Sequence, residues 1–207
     1  MMKKDKFKFL KLLSEYRSLN YELKYVKEVL SDAHVEFEKY YRTWCVENDI
    51  DIGELNKRNQ RKVDMIFIQE KSFNMTRELA IREFKEEKND AKDLKHLYKS
   101  IARKLHPDTL MEDDPRKSEY EEAFKKATAA DRAGRWGDLF DIVDKYSIPL
   151  SEYKDAIECL RFDIERIESE LQKEKSTYSW LLYEAEAKEE KNEIVKSFLR
   201  HLFGWNG

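Results

Sequence analysis

The run Leu105-His106-Pro107-Asp108-Thr109 sets an imidazole, a ring-constrained backbone and a carboxylate side by side. An exposed carboxylate of this kind can make charge-assisted, bidentate bonds to a partner guanidinium. Proline limits the loop's freedom before binding, so less entropy is lost on docking. This is recognition chemistry. His34, His96, His106 and His201 have no metal-ligand spacing to one another or to Cys45 and Cys159, and no CxxC pair is present. There is no glycine-rich phosphate loop and no nucleophile elbow. The Asp and Glu residues read as helix surfaces, with no pair singled out by an apolar pocket. The expectation is a protein that is not an enzyme and holds no metal or cofactor.

Two helices must present this loop. Over Asp93 to Leu105 the apolar residues Leu94, Leu97, Tyr98, Ile101 and Leu105 recur at steps of three and four, one face of a helix. Lys95, Lys99 and Arg103 share a second face, with Lys92 and Lys104 beside them. Pro107 stops the helix, because the residue before proline is pushed out of the helical region and proline has no backbone donor. Asp114-Pro115 starts the next one, a capping acceptor followed by proline at the first helical position. Its inward residues are expected to be Tyr120, Phe124, Ala127 and Ala130. Pattern alone predicts two antiparallel helices joined by a loop that carries His-Pro-Asp.

At these residues the chain resembles a known family. Leu97 to Asp108, with Tyr98-Lys99 and Ala102 on a basic helix before His-Pro-Asp and Ala123-Phe124-Lys125 on the helix after it, is similar to the second helix, loop and third helix of a J-domain, the module of the DnaJ co-chaperones. The resemblance covers roughly residues 93–146. It implies that His106, Pro107 and Asp108 form the trigger that docks on the ATPase domain of a DnaK-type heat-shock chaperone and stimulates its ATP hydrolysis. It implies a docking face of Lys95, Tyr98, Lys99, Arg103 and Lys104, with the Tyr98 ring shared with the core and Phe124 contributing from the third helix. The chain departs from the family pattern in places. No Tyr-Tyr-x-x-Leu-Gly signature precedes Asp93, Thr109-Leu110 stand where a basic residue and asparagine are common, and Asp131 stands where tyrosine is frequent.

Composition fits long solvated helices. Of 207 residues 40% are charged, while glycine and proline total only eight. A net charge of −3 makes no global case for nucleic acid or an anionic membrane as partner. Local charge is asymmetric: Lys92 to Leu105 sums to +4 and Met111 to Glu122 to −4, which suits a partner with an acidic patch. Met1 to Lys11 is lysine-rich but has neither an unbroken apolar core nor a small-residue cleavage site, so no signal peptide is expected. No stretch approaches the ~20 apolar residues that span a bilayer. The expectation is a soluble, cytoplasmic chain with Cys45 and Cys159 reduced, a disulfide between them being the alternative.

The rest of the chain is read as support. Phe9, Leu12, Tyr16, Leu19, Leu23, Val26, Leu30, Ala33, Phe37, Tyr40 and Trp44 alternate steps of three and four, a heptad seam. Residues 48–53 read as a turn, followed by a less regular helix from about Glu54 to Lys88 with Leu55, Met65, Ile66, Phe73, Leu79 and Phe84 buried. Gly134 breaks the third hairpin element, and Asp138 is expected to cap a short helix carrying Leu139, Phe140, Ile142 and Val143. A second seam runs Tyr153, Ile157, Leu160, Ile164, Ile167, Leu171, Glu174, Tyr178, Leu181, Ala185. Phe198, Leu202, Phe203 and Trp205 form an apolar end that is expected to cap a bundle. The predicted architecture is all-α, a J-domain-like helical hairpin flanked by long coiled-coil-forming helices. Its divisions are 1–88 (N-terminal helical, coiled-coil), 89–149 (J-domain-like) and 150–207 (one long C-terminal coiled-coil helix). The two seams are expected to pair antiparallel as a stalk, self-association through them being the competing arrangement.

The functional expectation is a J-domain co-chaperone that docks on a DnaK-type chaperone and recruits it to an unidentified client held by the helical arms. The alternative is a non-catalytic coiled-coil interaction scaffold with a degenerate J-like domain. Nucleic-acid binding through Lys92 to Lys104 ranks third, because no aromatic or arginine-rich reading elements lie beside that face.

Overall fold

Helix is the only regular secondary structure among the described residues of the computed structural model, which are 2–57, 78–84, 97–111, 113–150 and 153–206. The protein is all-α. Its helices are α1 (Met2–Glu47), α2 (Leu97–Leu105), α3 (Lys117–Ala133), α4 (Trp136–Lys145), α5 (Lys154–Lys175), α6 (Tyr178–Glu184) and α7 (Lys188–Phe203), with a 3-10 turn at Pro107–Thr109. Residues 52–57 and 78–84 are helical as well. The expected burial of Met65, Ile66 and Phe73, and the expected placement of Lys95 and His96, fall outside the described residues.

The chain divides into two units, and the division differs from the one read off the sequence. One unit comprises Met1–Tyr21 with Arg77–Glu168, the other Glu22–Thr76 with Ser169–Gly207. Helices α1 and α5 each supply residues to both.

In the first unit α1 buries Phe9, Leu13 and Tyr16. Of the adjacent leucines it is Leu13, not Leu12, that takes the inward place. In α2, Leu97, Ile101 and Leu105 are buried at four-residue steps. In α3 the buried positions are Ala123, Ala127 and Ala130, while Tyr120 and Phe124 are half-buried. A face of alanines lets the helices approach closely, which leaves the larger rings at its flanks. Helix α3 packs on α2 and α4, and the Pro107–Thr109 turn touches both α2 and α3. Helix α3 starts later than predicted. Asp114 and Pro115 lie in the turn before it, where the Arg116 N–H donates to Asp114 Oδ1 at 2.8 Å and the Arg116 guanidinium lies 2.8 Å from Oδ2. Those hydrogen bonds, the side-chain one foremost, pull the Asp114 carboxyl down to about 2.

Gly134 ends α3 as the sequence predicts. It sits at φ 64°, with Arg135 N–H donating to Ala130 O at 2.9 Å and Gly134 N–H to Asp131 O at 3.2 Å. This is a Schellman motif, whose C′ residue needs the left-handed region. Helix α4 ends the same way without glycine. Ile148 N–H reaches Val143 O at 2.9 Å and Ser147 N–H reaches Asp144 O at 3.1 Å, with Ser147 held at φ 51°. A side chain there costs about 1–2 kcal/mol, part of which glycine returns through its floppier unfolded chain. Ser147→Gly is therefore expected to raise stability by about 0.5–1 kcal/mol, read as a higher urea midpoint at unchanged slope.

The first turn of α4 is where the unit's buried polar groups meet. Asp138 does not cap this helix: the helix begins two residues earlier, and Arg135 at the cap position makes no side-chain cap bond. The carboxylate at its N-terminus comes from α5 instead. Asp163, fully buried, accepts the Gly137 N–H at 2.6 Å and lies 3.0 Å from the Arg166 guanidinium. Asp138 accepts the Tyr16 hydroxyl at 2.6 Å and pairs with Arg135 at 2.9 Å. The Phe9 ring stands 5.4 Å from Phe140 and 5.3 Å from Tyr153. Further along, the Tyr16 ring and Asp163 both close on Gly137. The order Phe9 then Tyr16 thus follows the order Tyr153 then Asp163, so α1 and α5 run in the same sense here, not antiparallel as predicted. Phe84, half-buried, stacks on Phe162 at 3.9 Å, whereas Leu79 is exposed, against expectation.

In the second unit the seam of α1 continues through Leu23, Val26, Leu30, Ala33, Phe37 and Trp44, all buried. The predicted single C-terminal helix is three. Ser176-Thr177 ends α5, and Thr177 caps α6 by accepting the Trp180 N–H. Ala185 to Ala187 separate α6 from α7, and Leu181, assigned to the seam, is exposed. Phe37, Trp44, Cys45, Leu182, Val195, Leu199 and Phe203 form an apolar core, with Phe198 and Leu202 packed against it. Trp205 meets Trp44 edge-on at 5.9 Å, so the apolar end covers its own unit as predicted. Cys45 and Cys159 are both buried and not joined in a disulfide, and burial pushes the Cys45 thiol up.

Candidate functional site

The His-Pro-Asp segment follows directly from how α2 must end. His106 N–H still completes the helix by donating to Ala102 O at 2.8 Å, but its own backbone is extended at ψ 132° because proline follows. The chain then closes a tight turn. Thr109 N–H donates to His106 O at 2.9 Å, the Thr109 hydroxyl donates to the same oxygen at 2.6 Å, and Leu110 N–H donates to Pro107 O at 3.3 Å. Three bonds over the five residues 106–110 hold the turn.

The three motif side chains point to different tasks. Asp108 is 88% exposed at its side chain. His106 is half-buried: its Nδ1 accepts the Asp108 N–H at 3.4 Å and lies 3.5 Å from Asp108 Oδ2. Its ring packs edge-on against Phe124, centroids 5.2 Å apart. Phe124 in turn stacks on Tyr98 at 6.3 Å. Tyr98, Phe124 and His106 therefore make one row of rings along the α2–α3 contact.

Tyr98 contributes mainly to that contact. Its hydroxyl is hydrogen-bonded to Thr128 Oγ1 at 2.9 Å, and Thr128 donates to Phe124 O at 2.9 Å. A tyrosine in this arrangement sets the spacing of α2 and α3, leaving one edge of its ring outward. Lys99 and Arg103 are exposed and, four residues apart, share the face opposite the buried stripe. Lys104 is exposed too, but at about 100° per residue it falls on the flank of that stripe away from Tyr98. There it lines, with Ser100, Arg103, Ser147, Ile148 and Pro149, an open pocket of about 290 Å³. Contacts thus link Asp108 to His106, His106 to Phe124 and Phe124 to Tyr98, whereas Lys99 and Arg103 stand on the outer face of α2 and Lys104 on its flank; Lys95 lies outside the described residues.

The pocket was not visible in sequence, because Ser147, Ile148 and Pro149 come to α2 only through the turn after α4. Among the described residues no group of three or more His, Cys, Asp and Glu side chains could hold a metal ion. No helix among them is long and apolar enough to cross a membrane. No family model, no curated protein and no solved structure matches this chain.

Proposed function

We propose that the α2–turn–α3 hairpin is a docking element for the ATPase domain of a DnaK-type chaperone, and that the chain acts as a co-chaperone with the ATPase chemistry residing in the partner. The observation that carries this reading is the Asp108 carboxylate, 88% exposed on a turn fixed by its own hydrogen bonds. The half-buried rings of His106 and Phe124 pack together at its base, and Lys99 and Arg103 are exposed on the outer face of α2. A carboxylate so placed can meet a partner guanidinium while the cations meet an acidic surface. Docking would bias the partner's nucleotide-dependent equilibrium by binding one of its states better than another.

The test is single-turnover ATP hydrolysis by the host's DnaK-type chaperone with wild type and Asp108→Asn at matched concentration. Wild type is expected to accelerate hydrolysis, and the variant to lose at least tenfold of that stimulation, the weight of about 1.4 kcal/mol in a charge-assisted bond. No acceleration by folded wild type with any host chaperone of this type would overturn the proposal.

A scaffold without chaperone stimulation is the second reading, favoured by Thr109. Its hydroxyl is used up on His106 O where the family commonly presents a basic side chain. Self-association through the α1 seam is disfavoured, because its residues from Phe9 to Trp44 are mostly buried within one chain.

A further inference from the structure

The pocket beside Lys104 shares Arg103 with the docking face, but the rest of its lining has a chemistry of its own. Two cationic residues, Arg103 and Lys104, line it together with two hydroxyl-bearing ones, Ser100 and Ser147, and the apolar Ile148 and Pro149. No ion pair joins either cation to a carboxylate among the described residues, a state they share with Arg132 and Arg161. The last turn of a helix favours cations, which accounts for their charge but not for the two hydroxyls that share their pocket. A volume of about 290 Å³ stands at the small end of ligand sites and suits a single side chain. Its apolar wall is firm: Ile148 is buried, and the turn that carries it is closed by bonds to Asp144 O and Val143 O.

We propose that this pocket binds an oxyanion on a short apolar stem, as presented by an acidic or phosphorylated side chain of a partner polypeptide. The Arg103 guanidinium supplies a planar fork for two oxygens, Lys104 a point charge, and the serine hydroxyls donate to whatever oxygen remains. The stem lies against Ile148 and Pro149. The site is independent of the chaperone reading, since it needs only a small anion to occupy it.

The experiment titrates the full-length protein with phenyl phosphate, benzoate and inorganic phosphate, following backbone amide shifts by NMR at low ionic strength. Phenyl phosphate is expected to saturate, with shifts centred on Ser100, Ser147 and Ile148. The double variant Arg103→Gln, Lys104→Gln is expected to weaken binding at least tenfold, about one charge-assisted bond lost, with Lys99→Gln unchanged within about twofold. Binding of benzoate as tightly as phenyl phosphate identifies a carboxylate side chain as the natural occupant, and phenyl phosphate alone identifies a phosphorylated one. Absence of saturation, or equal weakening in Lys99→Gln, means diffuse attraction to a basic helix and overturns the site. Unperturbed spectra of the variants outside the pocket exclude misfolding as the cause.

Discussion

Replacing Asp163 by alanine is expected to cost about 3–5 kcal/mol, the usual result of removing one partner of a buried ion pair. The carboxylate is fully buried between the Gly137 N–H and the Arg166 guanidinium, which is itself nearly covered. Alanine leaves that cation and the first N–H groups of α4 without their acceptor. Chemical denaturation at neutral pH reads the loss directly. Asp163→Asn separates charge from shape, and its signature is in the pH dependence. Burial is the main cause that raises the Asp163 carboxyl to about 6, against the opposing pull of Arg166 and the Gly137 and Trp136 N–H groups. Asp138 and Tyr16 face the same point from α4 and α1, the former adding to the rise. A carboxyl whose folded value lies above its unfolded one binds its proton more readily in the native state. Stability should therefore rise as pH falls from above 6 towards 4, by about 3 kcal/mol if this group acts alone. In Asp163→Asn that slope should vanish. The lowered carboxyl of Asp114, at about 2, works in the opposite direction but over a lower window, losing stability as pH falls from about 4 towards 2. A wild type whose stability is flat between pH 7 and 5, with the variant indistinguishable from it, would refute this account.

Gly137→Ala should rank next, at about 2–4 kcal/mol of destabilisation, the upper range for overpacking a closed core. A β-carbon at position 137 would stand 2.3 Å from two atoms of the Tyr16 ring. The ring has little room to yield, since Tyr16 is 2% exposed and its hydroxyl is tied to Asp138 at 2.6 Å. A double-mutant cycle checks the cause. Truncating the ring in Tyr16→Ala opens the space, so adding Gly137→Ala to it should cost no more than the ordinary few tenths of a kcal/mol. Full additivity of the two changes would show that the clash is not what the methyl group feels.

Much of this was legible, and the failures share a cause. The α1 seam reads off the sequence because one helix repeats the same demand every seven residues, and Tyr16, Leu23, Val26, Leu30, Ala33, Phe37 and Trp44 are buried as the spacing requires. The stop at Pro107 and the break at Gly134 are local chemistry and stand where expected. What pattern cannot see is the identity of the neighbour. Asp163 reads as one more surface carboxylate, since nothing within a few residues of it betrays that an N-terminus 26 positions away will need an acceptor. Asp138 looked like that acceptor because it is close in sequence. The breaks at Thr177 and at Ala185 to Ala187 went unread because Tyr178 and Ala185 keep heptad spacing across them. A hydroxyl at Thr177 followed by a free N–H three residues on was the signal available. At the candidate site, His106, Pro107 and Asp108 were singled out by their residue types together with the resemblance of the flanking helices, while the separation of Lys104 from Tyr98 needed only the helical angle.

The first unit draws its core from chain segments far apart, and this sets an order of events at the ribosome. Phe9, Leu13 and Tyr16 are made early, yet the residues that cover Phe9 and bond Tyr16 lie at Phe140, Tyr153 and Asp138. At a synthesis rate of about 5–20 residues per second, those apolar side chains wait roughly 6–30 s for their partners to emerge. A fragment released before residue 153 holds Phe140 and Asp138 but lacks Tyr153 and α5, so the first helix is covered only in part. The nascent chain is then, for that interval, an exposed amphipathic helix of the sort that general chaperones hold.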